Sequence, residues 1–199
     1  MHLMTKNLTG LALILLLESF LMLHPTTIHS PGNKQTGLIT RQQEPTVTMG
    51  ETNTSNLIIV YVTDSAASSA EITQKFMQIL PVELGGFLKK NDLHMAGPPY
   101  AWYRGTQFPF VFDVGVPVNK LPAATEGRIM VKQLPAGKAV VAHYYGPYDQ
   151  IAKGYRVANA WIKDHNKTQI APPYEVYIGD PGVEKDPYKV LTNIIFPVE

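Results

Sequence analysis

A short aromatic motif occurs twice in this chain, at residues 98–103 (PPYAWY) and at residues 172–177 (PPYEVY). Each copy is followed by a second matching segment, at residues 114–118 (VGVPV) and 194–198 (IIFPV). Residue class, order and approximate spacing agree between the copies, which is typical of an internal duplication. The copies differ at one chemically distinct position, where Ala101 corresponds to Glu175. We therefore expect a duplicated sheet with a ligand site between its two halves.

Both halves have the same predicted order of strand, helix, strand and strand. In the first half, a strand at 57–62 precedes a helix that begins at Ser68, which has the spacing of a capping box with Glu71. Pro81 is expected to kink or end that helix. The other predicted elements are strands at 96–104, 110–117, 138–145, 173–178 and 191–196, and a helix at about 148–164. Because neither half can bury its sheet alone, the prediction is one α+β domain: two strand–helix–strand–strand units forming one antiparallel sheet, with the helices on one face.

Composition excludes several functional classes. The formal net charge of +1 over 199 residues gives no electrostatic basis for nucleic-acid binding. The absence of cysteine excludes disulfides, a thiolate nucleophile and cysteine-ligated zinc. The six histidines lack metal-ligand spacing, and no glycine-rich phosphate loop follows a strand. We therefore expect no metal and no cofactor.

The N-terminus has the pattern of an export signal or a membrane anchor. Lys6 precedes a largely apolar run from Leu8 to Leu23, and no cleavage site is evident. We expect residues 1–23 to be a signal peptide or, if uncleaved, an anchor through which the chain contacts a membrane, and we expect the protein in a bacterial envelope. Residues 24–56 predict a flexible linker without a helix-turn-helix, and residues 57–199 the folded domain.

The motifs of residues 57–199 resemble the GyrI-like family of effector-binding domains. The most specific segments are residues 134–148 (LPAGKAVVAHYYGPY), Trp161 with Ile162, residues 173–177 (PYEVY) and residues 194–198 (IIFPV). The resemblance implies a pseudo-twofold α+β fold with a ligand cavity on the sheet face away from the helices. It also implies that a glutamate matching Glu175 meets cationic, aromatic ligands, and that some members hydrolyse strained cyclopropane-bearing compounds.

Strand alternation predicts which side chains share the face of Glu175. Glu175, Tyr177 and Tyr103 fall on one face, and Tyr100 and Trp102 on the face expected to meet the helices. Carboxylates and tyrosine rings together suit a cationic or planar ligand. The predicted ligand-binding residues are Glu175, Tyr177, Tyr103, Trp102, Asp113, His143 and Tyr145. Each also has a structural explanation, as sheet covering, core packing or a hydrogen-bonded histidine.

Together these patterns predict a stand-alone small-molecule-binding domain without a DNA-binding domain. We expect its ligand to be cationic or aromatic, and we expect a binding module rather than an enzyme. One alternative is a hydrolase of strained small electrophiles that uses Glu175 as general acid–base or nucleophile. A second alternative is a protein–protein inhibitor module. The ligand's identity and the oligomeric state stay open.

Overall fold

A computed structural model of the chain describes residues 43–105 and 108–199. All eight strands of this part form one antiparallel sheet, in the order β1-β6-β8-β7-β3-β4-β2-β5. The strands are β1 Thr46–Thr54, β2 Leu57–Ala66, β3 Tyr100–Arg104, β4 Phe110–Val118, β5 Ile129–Leu134, β6 Gly137–Tyr145, β7 Tyr174–Tyr177 and β8 Leu191–Pro197. The α-helices are α1 Ser69–Gln78, α2 Gly85–Lys90 and α3 Ala152–Asp164, with a π-helical turn at Ile79–Leu84 and 3₁₀ turns at Tyr148–Gln150 and Pro187–Lys189.

The strand order is symmetric about the junction of β3 and β7. Exchanging β2 with β6, β3 with β7, β4 with β8 and β5 with β1 gives the same order, read from the opposite edge of the sheet. This is the arrangement that two strand–helix–strand–strand units would give, and the predicted α+β architecture is confirmed. That the two units arose by duplication stays a prediction.

The helices cover a single face of this sheet. Glu175 pairs with Ala101 on one side and Ile194 on the other, so these three side chains share a face. That face includes Val62 and Val114, which pack under α1, the π-turn and α2. It also includes Ala142 and Ile194, which pack under α3. We call it the helix face and the other one the open face.

The sheet curls towards its open face. Two-residue connections join β1 to β2 and β5 to β6, although β1 and β2 are six strand positions apart. A flat sheet would separate them by about 29 Å, whereas such a connection spans at most about 11 Å. Leu134 on β5 accordingly packs with Ala139 and Val141 of distant β6 on the open face. The curl encloses the middle of the open face without a helix.

Local signals in the sequence explain the first helix. Ser68 caps α1, accepting a hydrogen bond from the Glu71 N–H at 3.2 Å, and the Glu71 carboxylate accepts one from the Ala67 N–H at 2.7 Å. The predicted helix start is thus confirmed. Pro81 lies in the π-turn that joins α1 to α2, so the predicted break is a widened turn within a continuous helical segment.

Two strands depart from the predicted organisation. The prediction of a flexible linker over residues 24–56 is wrong for Thr46–Thr54, which form β1 beside β6. Polar residues alternate with small apolar ones there, which suits an exposed edge strand. Edge strand β5 was also not predicted. The predicted signal or anchor, residues 1–23, lies outside the described residues. Within the described part, no helix is long and apolar enough to cross a membrane.

Candidate functional site

Glu175 lies buried on the helix face, between the sheet and α3. The residue is only 4% exposed. Tyr155 of α3 donates a hydrogen bond to its Oε1 at 2.9 Å, and Tyr177 donates one to its Oε2 at 2.7 Å. The Tyr177 hydroxyl in turn lies 2.8 Å from that of Tyr103. The predicted trio of Glu175, Tyr177 and Tyr103 therefore comes together, joined by Tyr155.

The electrostatics of this cluster are those of an acid without a counterion. Burial raises the pKa of Glu175 from 4.5 to about 7, although the hydrogen bonds from Tyr177 and Tyr155 act to lower it. Burial, followed by the charge of Glu175, raises the pKa values of Tyr103, Tyr155 and Tyr177 well above 10. Across residues 43–105 and 108–199, no lysine, arginine or histidine forms a salt bridge with Glu175.

Aromatic side chains close this site from above. The rings of Phe76 on α1 and Tyr148 meet the Tyr177 ring edge-on, at centroid distances of 5.7 and 5.6 Å. No residue of α1 is fully buried; Ile72 and Phe76 pack against the core only in part. Two surface pockets, of about 450 and 260 Å³, lie elsewhere, at one end of α2 and beside Tyr188. The Glu175 carboxylate is therefore covered, whereas the tyrosines around it are only half-buried, and α1 covers the site with little buried surface of its own.

The assignment of sheet faces needs a correction. Alternation correctly groups Glu175 with Tyr177 and Tyr103, but the prediction that Tyr100 and Trp102 face the helices is wrong. Tyr100 and Trp102 pack with Tyr174 on the open face. The prediction placed large aromatic side chains towards the helices and the acid away from them. The protein instead buries the acid under α3, where Tyr155 donates a hydrogen bond to it.

The remaining predicted residues lie on the open face, away from Glu175. Asp113 accepts hydrogen bonds from Thr63 at 2.7 Å and from Lys132 at 2.8 Å, and it also forms a salt bridge with Arg104. Burial acts to raise the pKa of Asp113, but the hydrogen bonds from Lys132 and Thr63 outweigh it and hold the pKa below 3.8. Trp102 lies beside this group. His143 lies on the same sheet face in the other half of the domain. Its ring nitrogen Nδ1 is 2.8 Å from the Asn193 side-chain oxygen.

Tyr145 is the most exposed of the predicted residues. It ends β6 on the same face as His143 and is 36% exposed. The predicted set thus divides into a trio under the helices, buried Glu175 with half-buried Tyr103 and Tyr177, and a dispersed group on the open face. In the described part of the chain, no group of three or more histidine and acidic side chains is arranged to hold a metal ion.

Three residues near these groups were not predicted. Tyr155 lies within the helix predicted at about 148–164, and nothing in the sequence of that helix shows where its hydroxyl points. Lys132 lies on the unpredicted edge strand β5. Thr192 pairs with Tyr177 across β8 and β7, is fully buried, and its hydroxyl lacks a hydrogen-bond partner among the described residues.

Comparison with known families agrees with this geometry. The GyrI-like small molecule binding domain matches residues 101–199, which hold Tyr103, Glu175 and Tyr177. Residues 101–199 of this chain belong to the GyrI-like family. Strands β1 and β2 and helices α1 and α2 precede the matched segment, so this member's sheet extends beyond it. No curated protein sequence matches the chain.

Solved structures share the fold. The chain resembles the EcmrR C-terminal domain, with a TM-score of 0.67 and 21% identity over 77% of this chain and 98% of that domain. It spans 57% of the EcmrR chain in that protein's DNA complex. It also resembles a hydrolase from Listeria innocua, with a TM-score of 0.53 and 11% identity over 76% of this chain and 91% of that one. At these identities the likeness shows the fold alone.

Proposed function

We propose that this GyrI-like domain binds small aromatic cations at Glu175, between the sheet and helices α1 and α3. One observation supports this most directly: Glu175 is buried and held only by tyrosine hydroxyls. A carboxylate in such a place is costly unless a cation joins it. A ligand with a positive centre would supply the missing charge, and the rings of Tyr103, Tyr155 and Tyr177 would contact its aromatic body.

Access of the ligand to the carboxylate requires a covering element to move, because Glu175 itself is buried. Helix α1 is the best candidate, since it buries no residue fully and meets the site chiefly through Phe76. The π-turn at Ile79–Leu84 and the glycine pair Gly85–Gly86 follow it. Displacing α1 would expose Tyr177 and the carboxylate beneath it while leaving the sheet intact.

The decisive experiment compares two variants that each remove one carboxylate. Crystal violet, a cationic triaryl dye, serves as the probe, and its neutral leuco form serves as the control ligand. At pH 8, Glu175→Gln should weaken crystal violet binding about 10- to 150-fold, as expected for losing one charge-assisted contact. Binding of the leuco form should change less. Asp92→Asn makes the same change in net charge at a side chain that is 86% exposed, and it should leave crystal violet affinity as in the wild type.

Two results would contradict the proposal. Equal crystal violet affinity in Glu175→Gln and the wild type would remove Glu175 from the binding site. Equal weakening by Asp92→Asn would show that only the overall charge of the protein matters. Isothermal titration calorimetry gives the affinities, and circular dichroism checks that both variants fold.

A second candidate function is hydrolysis at the same residue. Its support is the pKa of about 7, which suits a carboxyl group that gives and takes a proton near neutral pH. A strained, cyclopropane-bearing electrophile is the substrate class to test. If the protein is a hydrolase, Glu175→Gln should abolish product formation while the substrate still binds. Unchanged turnover in that variant would exclude this role for Glu175.

A further inference from the structure

The ammonium group of Lys132 lies between two aromatic rings on the open face. Its Nζ is 3.9 Å from the centre of the Trp102 ring and 4.1 Å from the centre of the Tyr61 ring. The same nitrogen donates a hydrogen bond to Asp113 at 2.8 Å. Two aromatic faces and a carboxylate are the groups that bind organic ammonium ions in proteins. Lys132 therefore occupies a place whose chemistry would suit an external cation.

We propose that Tyr61, Trp102 and Asp113 form a second organic-cation site, on the sheet face opposite Glu175, that Lys132 fills until an external ammonium displaces it. We call these three residues the open-face cage. This site is independent of the one proposed under the helices, because β3 separates the two: Trp102 points to the open face and its neighbour Tyr103 to the helix face.

The walls of the cage are held in place without Lys132. Trp102 stacks against Tyr100 and Tyr174, at centroid distances of 5.9 and 5.4 Å. Asp113 lies opposite Trp102 in the β3–β4 register and is also held by Thr63 at 2.7 Å. These residues come from the inner strands of the sheet. The cage should therefore keep its shape when the lysine leaves.

Lys132 itself is the movable part. It extends from the edge strand β5, and its side chain is 26% exposed, so its ammonium can reach water by rotation of a flexible stem. Burial lowers the pKa of Lys132 in spite of its hydrogen bond to Asp113, which shows that holding the charge there has a cost. An external cation would replace the same contacts. Because a tethered group competes at an effective concentration of about millimolar or more, wild-type binding should be weak.

Tetramethylammonium is the probe, since it is a small cation that cannot donate hydrogen bonds. The chain has two tryptophans, so Trp161→Phe in the full-length protein leaves Trp102 as the only tryptophan reporter. In that background, Lys132→Ala should tighten tetramethylammonium binding by about tenfold or more, measured by Trp102 fluorescence. Adding Tyr61→Ala removes one wall but keeps the reporter, and should reverse the gain. Asp92→Asn, a change at an exposed carboxylate outside both proposed sites, should leave it unchanged.

The unmodified wild-type protein gives a second measurement. Amine acylation followed by mass spectrometry reports how accessible each lysine is. Tetramethylammonium should increase labelling of Lys132 several-fold, whereas Lys90, whose side chain is 68% exposed, should label equally with and without it. Sodium chloride at equal ionic strength is the control for charge screening.

Either of two results would overturn the proposal. In the first, Lys132→Ala binds tetramethylammonium no more tightly than the same protein with Lys132 present. In the second, tetramethylammonium and sodium chloride change the extent of Lys132 labelling equally. The labelling result decides alone if Lys132→Ala does not fold. Neither outcome depends on whether crystal violet binds at Glu175, so the two proposals fail separately.

Discussion

Glu175 and Asp113 are two carboxylates of one sheet, equally buried at 4% exposure, on opposite faces. Asp113 has Lys132 and Arg104 as counterions, and its pKa is lowered. Glu175 has only tyrosine hydroxyls, and its pKa is raised to about 7. Their exposed fractions are equal, but Glu175 lies deeper in the protein and also lacks a cation, so both desolvation and the neighbours separate the two pKa values. A hydroxyl stabilises a carboxylate by one hydrogen bond, whereas a cation also compensates the charge that burial has removed from water.

This difference indicates whether a cationic ligand must displace a charged group from each carboxylate. Asp113 already has its cation, so an external one must compete with Lys132. Glu175 has none, so a cationic ligand completes its site without displacing a charged group.

The largest expected effect is a pH-dependent stabilisation by Glu175→Gln. The folded pKa of about 7 exceeds the ordinary 4.5, so the folded state loses stability as pH rises from 4.5 towards 7. Two and a half pKa units correspond to about 3 kcal/mol. Glu175→Gln should raise the free energy of unfolding by up to about 3 kcal/mol at pH 8 and change it little at pH 4.5. Urea denaturation at the two pH values measures this.

The groups that face Glu175 set the conditions for this test. They are Tyr155 from α3, Tyr103 and Tyr177 from the sheet, and Tyr148 from the 3₁₀ turn. Their pKa values lie above 10, so none titrates between pH 4.5 and 8. A Glu175→Gln effect that is equal at both pH values would show that the carboxylate is not desolvated in solution.

The sequence predicts the strands of this fold better than the directions of its side chains. The repeated PPYxxY and xPV segments fix β3, β7, β4 and β8, because a repeat must give each copy the same place in a symmetric sheet. Period-two alternation fixes which side chains share a face, and so brings Glu175 to Tyr177. It cannot say which face the helices cover, because alternation within a strand does not show on which side another element packs.

The edges of the sheet were harder to predict for a different reason. The strands β1 and β5 contain polar residues that edge positions tolerate, such as Thr48, Glu51 and Gln133. Strand β1 pairs with β6 and β5 pairs with β2, and each partner is distant in sequence. Lys132 was missed together with β5. The open-face cage therefore becomes visible only in three dimensions.

The second prediction is the opposite effect on the other face. Asp113→Asn should destabilise the protein by on the order of 2 kcal/mol, because Lys132 and Arg104 lose a shared counterion. The side chain of Arg104 is 55% exposed, so water limits the loss. A lowered pKa means that Asp113 stabilises the fold at neutral pH and loses this effect only as pH falls below 3.8. Urea denaturation should therefore give the same loss at pH 5 and pH 8.

This flat profile separates the two carboxylates. If the Asp113→Asn loss grew or shrank between pH 5 and pH 8, Asp113 would be titrating there, and its pairing with Lys132 would be weaker than the contacts indicate. Stabilisation by Asp113→Asn would show that the ion pairs do not compensate for burial.

The smallest expected effect compares two threonines, one on each face. Thr63 donates its hydroxyl hydrogen to Asp113 at 2.7 Å, whereas the hydroxyl of fully buried Thr192, in register with Tyr177, has no partner among the described residues. Removing a paired hydroxyl leaves Asp113 short of one hydrogen bond, while removing an unpaired one relieves a desolvated group. Thr63→Val should therefore lower the free energy of unfolding by about 1 kcal/mol, and Thr192→Val should raise it by about as much. Thermal denaturation of the two isosteric variants checks the signs. Destabilisation by Thr192→Val would mean that a buried water pairs with this hydroxyl in solution, and the space beside Tyr177 would then be polar even without a ligand.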